Sequence, residues 1–399
     1  MPFQTPLHSR TNPLNQTQEW REWAGYLAAV SYQISTETEY FAIRNAAGLL
    51  DVSPLFKYEI SGPDAVKLLD RIMTRNIAKC EVGQVMYGPW CDERGQVIDD
   101  GTLARLRADH FRITAAEPSL AWFTDVGFGI DAQVRDVSQE MAALAVQGPN
   151  ARAVLKRIFS DAGLSRLRYY RLAHAQLGSI PVEISRTGYT GDLGYELWVQ
   201  ADKAGELWDK VMEAGQDYGL LPVGLAALDM ARVEAGLLLL DVDYSSARFA
   251  LIEAQKSNPY ELGLGWAVDL EKPNFVGRQA LLELWSHPRN RQLVGLEISW
   301  LDLEREFGRD DLPPQVTGRA SRDPLPIYSE GKQLGQATSV LFSPLLKKYI
   351  ALATVSGGLQ LGDQVQVEAT VEYKRRRVGA RIVKLPFFNP KRKRAILRD

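Results

Sequence analysis

The chain is poor in the residues on which most metal and redox chemistry depends. Its 399 residues include only two cysteines and four histidines. Cys80 and Cys91 cannot build a disulfide scaffold and suit a reducing cytosol, so a cytoplasmic location is expected. His8, His110, His174 and His287 show neither zinc-ligand spacing nor an H-E-x-x-H run, and no metal is expected. A cysteine or serine nucleophile would need a histidine delivered by the fold, and no local signature supports one. No apolar run approaches the roughly eighteen residues that cross a bilayer. Residues 1–18 are polar and proline-bearing, without the apolar core of a signal peptide. An excess of one charge is lacking too. With 47 basic against 49 acidic side chains the net charge is −2, which gives no pull toward nucleic acid or membrane. The one basic run is Lys391-Arg392-Lys393-Arg394.

What is there is an ordinary globular composition, 45% apolar and 24% charged, long enough for about two or three domains. The three-to-four-residue spacing of Trp20, Trp23, Tyr26, Leu27 and Val30 predicts a helix over 18–31. A second helix is expected over 36–46, then a strand over 48–52. Tyr58 to Ile72 and Leu144 to Ile158 share one pattern: a strand, a Gly-Pro turn with Pro at the first helical position, and an amphipathic helix. Ala65/Ala151, Leu69/Leu155 and Ile72/Ile158 would bury the same face, which suggests a pseudo-repeated α+β body. Residues 97–106 and 111–114 read as paired strands, 203–218 as an amphipathic helix and 225–240 as a buried one. A boundary is expected near 286–293. Beyond it, alternating runs at 294–298, 334–340, 350–355, 364–368 and 379–383 predict a small all-β domain, with a charged, mobile insertion over 303–325.

Two stretches draw attention as chemistry. Residues 185–198 interleave Gly188, Gly191 and Gly194 with Tyr189, Tyr195, Asp192 and Glu196. A plain hairpin needs one or two such glycines, so the loop reads as shaped around a ligand. A buried Glu196 needs a partner, and its carboxylate would suit a heterocycle presenting adjacent N–H donors. Tyr87, Tyr169, Tyr170 and Tyr189 would supply flat faces, though each alone reads more readily as core. Asp99-Asp100 point to opposite faces if they lie on a strand, so one can serve a pocket; on spacing alone the pair marks a turn. Arg232 and Glu234 read as structural ion-pair formers.

These residues resemble the aminomethyltransferase family, the glycine cleavage T-protein and its relatives. The likeness runs through residues 186–196, Gly48-Leu-Leu-Asp-Val-Ser53, Val97-Ile-Asp-Asp100, Ala145-Val-Gln-Gly-Pro149, Arg232-Val-Glu-Ala-Gly-Leu237, Asn274-Phe-Val-Gly-Arg278 and Ser343-Pro-Leu-Leu-Lys-Lys348, in the family's order along nearly the whole chain. The resemblance implies an α+β, three-domain, cloverleaf-like fold with a C-terminal β-barrel. The expected division is a folate-binding body over 1–285, built from 1–50 with 145–285 and from 51–144, and a barrel over 290–399. It also implies tetrahydrofolate as cofactor and one-carbon transfer to its N5. Asp100 would be the catalytic acid beside the folate nitrogens. Glu196 would hold the pterin's N–H edge, and Tyr87, Tyr189 and Tyr169 or Tyr170 would line its pocket. Arg392 would meet the anionic tail.

Two departures separate the chain from T-proteins. Thr114-Ala115-Ala116 stands where they have Ser-Asn-Ala, and Leu228 replaces the arginine of Gly-Leu-Ala-Ala-Arg-Asp. Both lean toward the family's methyl-transferring branch, which includes the dimethylsulfoniopropionate demethylase. The leading expectation is a tetrahydrofolate-dependent methyltransferase or demethylase acting on O, N or S of a small methylated donor. One alternative is an aminomethyltransferase fed by a lipoyl carrier protein and forming 5,10-methylenetetrahydrofolate. Another is a non-catalytic folate-binding module, as in relatives that assist iron–sulfur assembly; the retained Asp99-Asp100 argues against it.

Overall fold

The computed structural model describes residues 2–160, 162–287 and 290–396. Pro288 and Arg289, inside the expected boundary, and the last three residues of the expected barrel segment lie outside the described residues. The fold is α+β, with two mixed layers of sheet and helix and a closed barrel.

A six-stranded sheet runs in the order Leu172–Leu177, Ile180–Ser185, Gly194–Gln200, Met141–Gln147, Ala47–Asp51, Leu220–Pro222. Its central Met141–Gln147 strand is buried throughout, because both of its faces are covered. The two-residue alternation of a strand sorts its side chains between two cores. Ala142, Leu144 and Val146 join one, with Trp208 and Val211 of the Ala204–Gly215 helix. Met141, Ala143 and Ala145 join the other, with Ala227, Met230 and Val233 of the Leu225–Glu234 helix and with Leu341 and Leu352 of the barrel wall. The Leu225–Glu234 helix is thus wedged between sheet and barrel. Glu196 shares this second face with Trp198, two residues along its strand.

A five-stranded sheet runs Val85–Cys91, Val97–Arg107, His110–Ala115, Phe56–Ser61, Gln133–Asp136. The repeated unit appears once in each sheet: Phe56–Ser61 leads to the Ala65–Ile72 helix, and Met141–Gln147 to Ala151–Ile158. Gly62 and Gly148 open the two turns with φ of 128° and 130°. The prolines sit in the turns, two residues before the first helical residue rather than at it. The barrel is closed by six antiparallel strands in the order Arg291–Ile298, Lys348–Ser356, Lys332–Ser343, Leu325–Ser329, Gln364–Val371, Lys374–Val383. Closure leaves it no free edge.

Three sequence expectations change. Residues 18–31 form a hairpin, with strands Trp20–Trp23 and Tyr26–Ala29. Ala24 and Gly25 both take positive φ, 48° and 84°, the two-residue turn that matches strand twist. The cross-strand neighbours Trp23 and Tyr26 produce the spacing that mimics a helix face. The helix expected over 225–240 stops at Glu234. Gly236 at φ 64° lets its N–H bond the Val233 carbonyl and the Leu237 N–H the Arg232 carbonyl at 3.0 Å, a Schellman end. The 303–325 segment overlaps a helix, Trp300–Gly308, whose start is capped by Ser299 Oγ accepting from Asp302 N at 3.2 Å.

Candidate active site

Asp99 and Asp100 lie on the Val97–Arg107 strand, opposite Trp90 and Pro89 of its neighbour, not in a turn. The strand's alternation parts them. Asp99 is fully buried and accepts backbone N–H bonds from Asp100 at 2.7 Å, Ala116 at 2.9 Å and Glu117 at 3.0 Å. Asp100 faces elsewhere and takes hydroxyl donors from Tyr244 and Tyr87. Burial raises both carboxyls above the ordinary range, and Asp100 raises Asp99 further, while the tyrosine hydroxyls pull Asp100 back. The strand sits tightly here because Gly101 has no side chain: a Cβ would stand 1.9 Å from the Thr114 carbonyl oxygen.

The glycines of the 188–194 loop have a physical reason different from the one its sequence suggests. Added Cβ atoms at Gly188 and Gly194 would meet the Gln147 amide at 2.0 and 2.1 Å, and one at Gly191 would meet Ala235 at 2.4 Å. Gln147 donates to the Thr187 and Tyr195 carbonyls at 3.2 and 3.3 Å and accepts from Thr190 at 2.9 Å. The loop is shaped around the protein's own side chains. Its functional groups stand just outside that clamp. Tyr189 gives its hydroxyl to the Leu238 carbonyl. Glu196 accepts on one oxygen from Thr187 at 2.6 Å and Ser185 at 3.4 Å; its other oxygen receives no donor among the described residues.

Tyr169 and Tyr170 meet edge to face at 4.5 Å. Tyr170 holds a left-handed backbone, φ 61°, fixed by its N–H on the Arg186 carbonyl and its own carbonyl receiving Val85 N–H, both at 3.0 Å. Such backbone costs about 1–3 kcal/mol and persists where the surroundings impose it.

Desolvation raises the pKa of Tyr87, Asp100, Tyr169, Tyr170, Tyr189 and Glu196. Yet each keeps some accessible surface. These groups are deeply placed without being fully covered. Mutual electrostatics tie them to one place: Asp100 acts on Tyr87 and Tyr189, Tyr170 on Tyr87, and Glu196 on Tyr169 and Tyr170. A carboxylate oxygen without a donor, near Tyr169 and Tyr170, suits the N–H edge of a flat heterocycle.

Arg392 stands apart from these groups. Its Nε and Nη2 reach the buried Asp192 carboxylate at 2.6 and 2.8 Å, and Asp192 also lies 3.7 Å from Arg44. Next to it, Lys393 is buried, with its amine 5.7 Å from the Tyr169 ring centre, and Arg394 lies equally close to that ring. Burial first, then Arg394, lowers Lys393 to about 8. Arg232 and Glu234 are structural, as their sequence suggests. Arg232 pairs with Asp229 and Asp243 and donates to Ser339; Glu234 takes Arg44, Tyr40 and Ser343. Of the two departures, Ala115 is buried in the core of the five-stranded sheet. Leu228 lines a narrow cleft with Trp20, Tyr32 and Val223. Tyr244 and Lys393 were invisible as site residues, since no local motif marks either.

The fold defines a two-part protein, a mixed body with a terminal barrel. The family model described as the GCVT N-terminal domain matches residues 11–272, and that of the glycine cleavage T-protein C-terminal barrel domain matches 315–389. A trimethylamine-oxide aldolase of Ruegeria pomeroyi is 36% identical over 99% of this chain, which spans only about half (48%) of that protein. An aminomethyltransferase of Halothermothrix orenii is 34% identical over 92% of the chain and 95% of its own length. The crystal structure of the glycine cleavage aminomethyltransferase T of Bartonella henselae superposes with a TM-score of 0.81 at 27% identity, covering 98% of this chain and 99% of that one. The chain belongs to the aminomethyltransferase, or glycine cleavage T-protein, family. It is accordingly an enzyme of one-carbon transfer whose cofactor is tetrahydrofolate. No described helix is long and apolar enough to cross a membrane.

Proposed function

We propose that the protein moves a methyl group from O, N or S of a small donor to N5 of tetrahydrofolate, with Asp100 as its catalytic residue. The observation that carries this reading is the raised, half-covered Asp100 carboxylate, held by the hydroxyls of Tyr87 and Tyr244. Bound tetrahydrofolate would supply the N5 nucleophile that accepts the methyl group. Asp100 takes the N5 proton as the methyl arrives without its bonding electrons, and the donor heteroatom keeps that pair. Its raised pKa makes it a better base than an exposed aspartate. Glu196 presents its free oxygen to the pterin N–H edge, and Tyr87, Tyr169, Tyr170 and Tyr189 wall the ring. The anionic tail is assigned to the terminal basic run. There Arg392 spends two donors on Asp192, while the Lys393 amine beside Tyr169 has no ion pair among the described residues. A relative named for trimethylamine oxide supports a donor other than a lipoyl carrier's arm; the sequence departures at Ala115 and Leu228 lean the same way only by resemblance, since one lies in the sheet core and the other in the cleft beside Trp20.

A second reading has its own support. Relatives named aminomethyltransferase match at 31–34% identity over 87–98% of the chain. Under that reading the carbon comes from an aminomethyl-lipoyl carrier. Incubation with tetrahydrofolate and a panel of methylated donors, followed by mass identification of the folate product, separates the two. A 5-methyl product is expected. A methylene product formed only with a loaded lipoyl carrier replaces the first reading with the second, and folate binding without turnover removes both.

A further inference from the structure

Glu196 is held by one oxygen, and the groups that hold it are held in turn. Ser185 is its cross-strand partner, and Glu183 is that of Trp198. The two-residue period of the strands therefore puts all four side chains on one face of the sheet. Trp198 Nε1 reaches Ser185 Oγ at 3.4 Å, Ser185 Oγ lies 2.6 Å from Thr187 Oγ1, and Thr187 Oγ1 lies 2.6 Å from Glu196 Oε2. Ser185, Thr187 and Trp198 are all buried. So is Arg112, from the His110–Ala115 strand of the other sheet. Its guanidinium lies 4.4 Å over the Trp198 ring, and its Nη2 donates to Glu183 at 2.7 Å, which fixes the tryptophan from the far side.

The donors and acceptors give this chain one direction. An indole N–H only donates, and an ionised carboxylate only accepts. Ser185 takes the indole proton and keeps one of its own to pass on. Thr187, between Ser185 and the carboxylate, gives its proton to Glu196. Hydroxyls aligned head to tail in a buried place strengthen one another. We infer that Thr187 is the positioning residue of the pterin site: fed by Ser185 and Trp198, its hydroxyl locks Glu196 as a proton acceptor, so that the site takes a ring with an N–H donor at that edge and rejects one without it. This inference rests on the placing of Glu196 at the pterin edge and is independent of which one-carbon donor is used. Burial raises Glu196, and Thr187, Ser185 and the Arg112 charge pull it back. The other titratable groups that interact with it are Tyr169 and Tyr170. Without the Thr187 hydroxyl a smaller share of Glu196 is ionised at any given pH.

The test is tetrahydrofolate binding, by fluorescence titration between about pH 5 and 8, to Thr187→Val, which keeps the shape and removes the hydroxyl. Affinity at neutral pH should fall about tenfold, and the acid side of the affinity profile should move to higher pH. Thr187→Ser should restore both. In a Glu196→Ala background Thr187→Val should cost little more, since no carboxylate remains to be positioned. An equal loss there would make Thr187 a packing residue and overturn the assignment, as would a Thr187→Val protein with wild-type affinity. The wild type should also bind 2-desamino-2-methyltetrahydrofolate, which carries a methyl in place of the 2-amino group, about tenfold more weakly than tetrahydrofolate. Thr187→Val should narrow that gap, and an undiminished gap sinks the inference. The two levels separate. Full folate affinity in Glu196→Ala removes the placing of Glu196 at the pterin, whereas a loss in Glu196→Ala with none in Thr187→Val removes only the role of Thr187.

Discussion

Tyr244 donates its hydroxyl to Asp100 across 144 residues of sequence. The contact joins the loop after the Leu225–Glu234 helix to the second strand of the five-stranded sheet, and it helps set how readily Asp100 ionises. Asp100 is a base only when charged. Burial raises its pKa, and the Tyr244 and Tyr87 hydroxyls lower it. Tyr244→Phe removes one lowering contact, so a smaller share is ionised at any given pH. The acid limb of the pH–rate profile should move to higher pH, by up to about one unit. A limb that stays in place would show that Asp100 does not govern it.

Asp100→Asn keeps the shape and removes the base. Turnover should fall about 10²- to 10⁴-fold while tetrahydrofolate affinity, followed by fluorescence titration, changes little. Intact turnover would remove Asp100 from its role.

Lys393, held at about 8, is charged below that pH and loses its charge as pH rises through it. Affinity for a polyglutamylated tetrahydrofolate should therefore weaken between about pH 7 and 9. Lys393→Met should lower affinity at pH 6.5 by roughly tenfold and flatten the pH dependence. Equilibrium dialysis across that range reads both.

Gly101→Ala places a methyl 1.9 Å from a backbone carbonyl of the adjoining strand. Neither strand can yield without breaking the ladder that presents Asp100. A loss of about 3 kcal/mol or more is expected in urea unfolding, far beyond the effect of an alanine at an open glycine such as Gly308.

Much of the fold was legible because its periodicities are strong. The strand–turn–helix units at 56–72 and 141–158, the barrel strands and the Ala204–Gly215 helix all follow from apolar spacing. The hairpin at 20–29 did not, since two aromatic strands joined by a two-residue turn reproduce helical spacing. Within the candidate site, Asp100 and Glu196 were legible through family motifs. Tyr244 was not, as its role exists only once distant segments meet. Of the basic run the sequence singles out Arg392 and not Lys393; Asp192, 200 residues before Arg392, takes that guanidinium, a pairing no local pattern reveals.

Arg186, the second residue of the signature stretch, donates to the carbonyls of Arg392, Lys393 and Ala395, which follow it by 206, 207 and 209 residues. That reach has a consequence for the order of assembly. Domains fold as they leave the ribosome, earlier segments first, and contacts so far apart in sequence form late. A nascent chain that already carries Tyr189 and Glu196 can give Arg186 its Leu167 carbonyl, but the Nη2 of that arginine lacks these three partners until the segment around Ala395 emerges. The wall that brings Lys393 to Tyr169 is thus among the last parts to close, and a ribosome stalled after the barrel would hold a body with its carboxylates in place and that wall still missing.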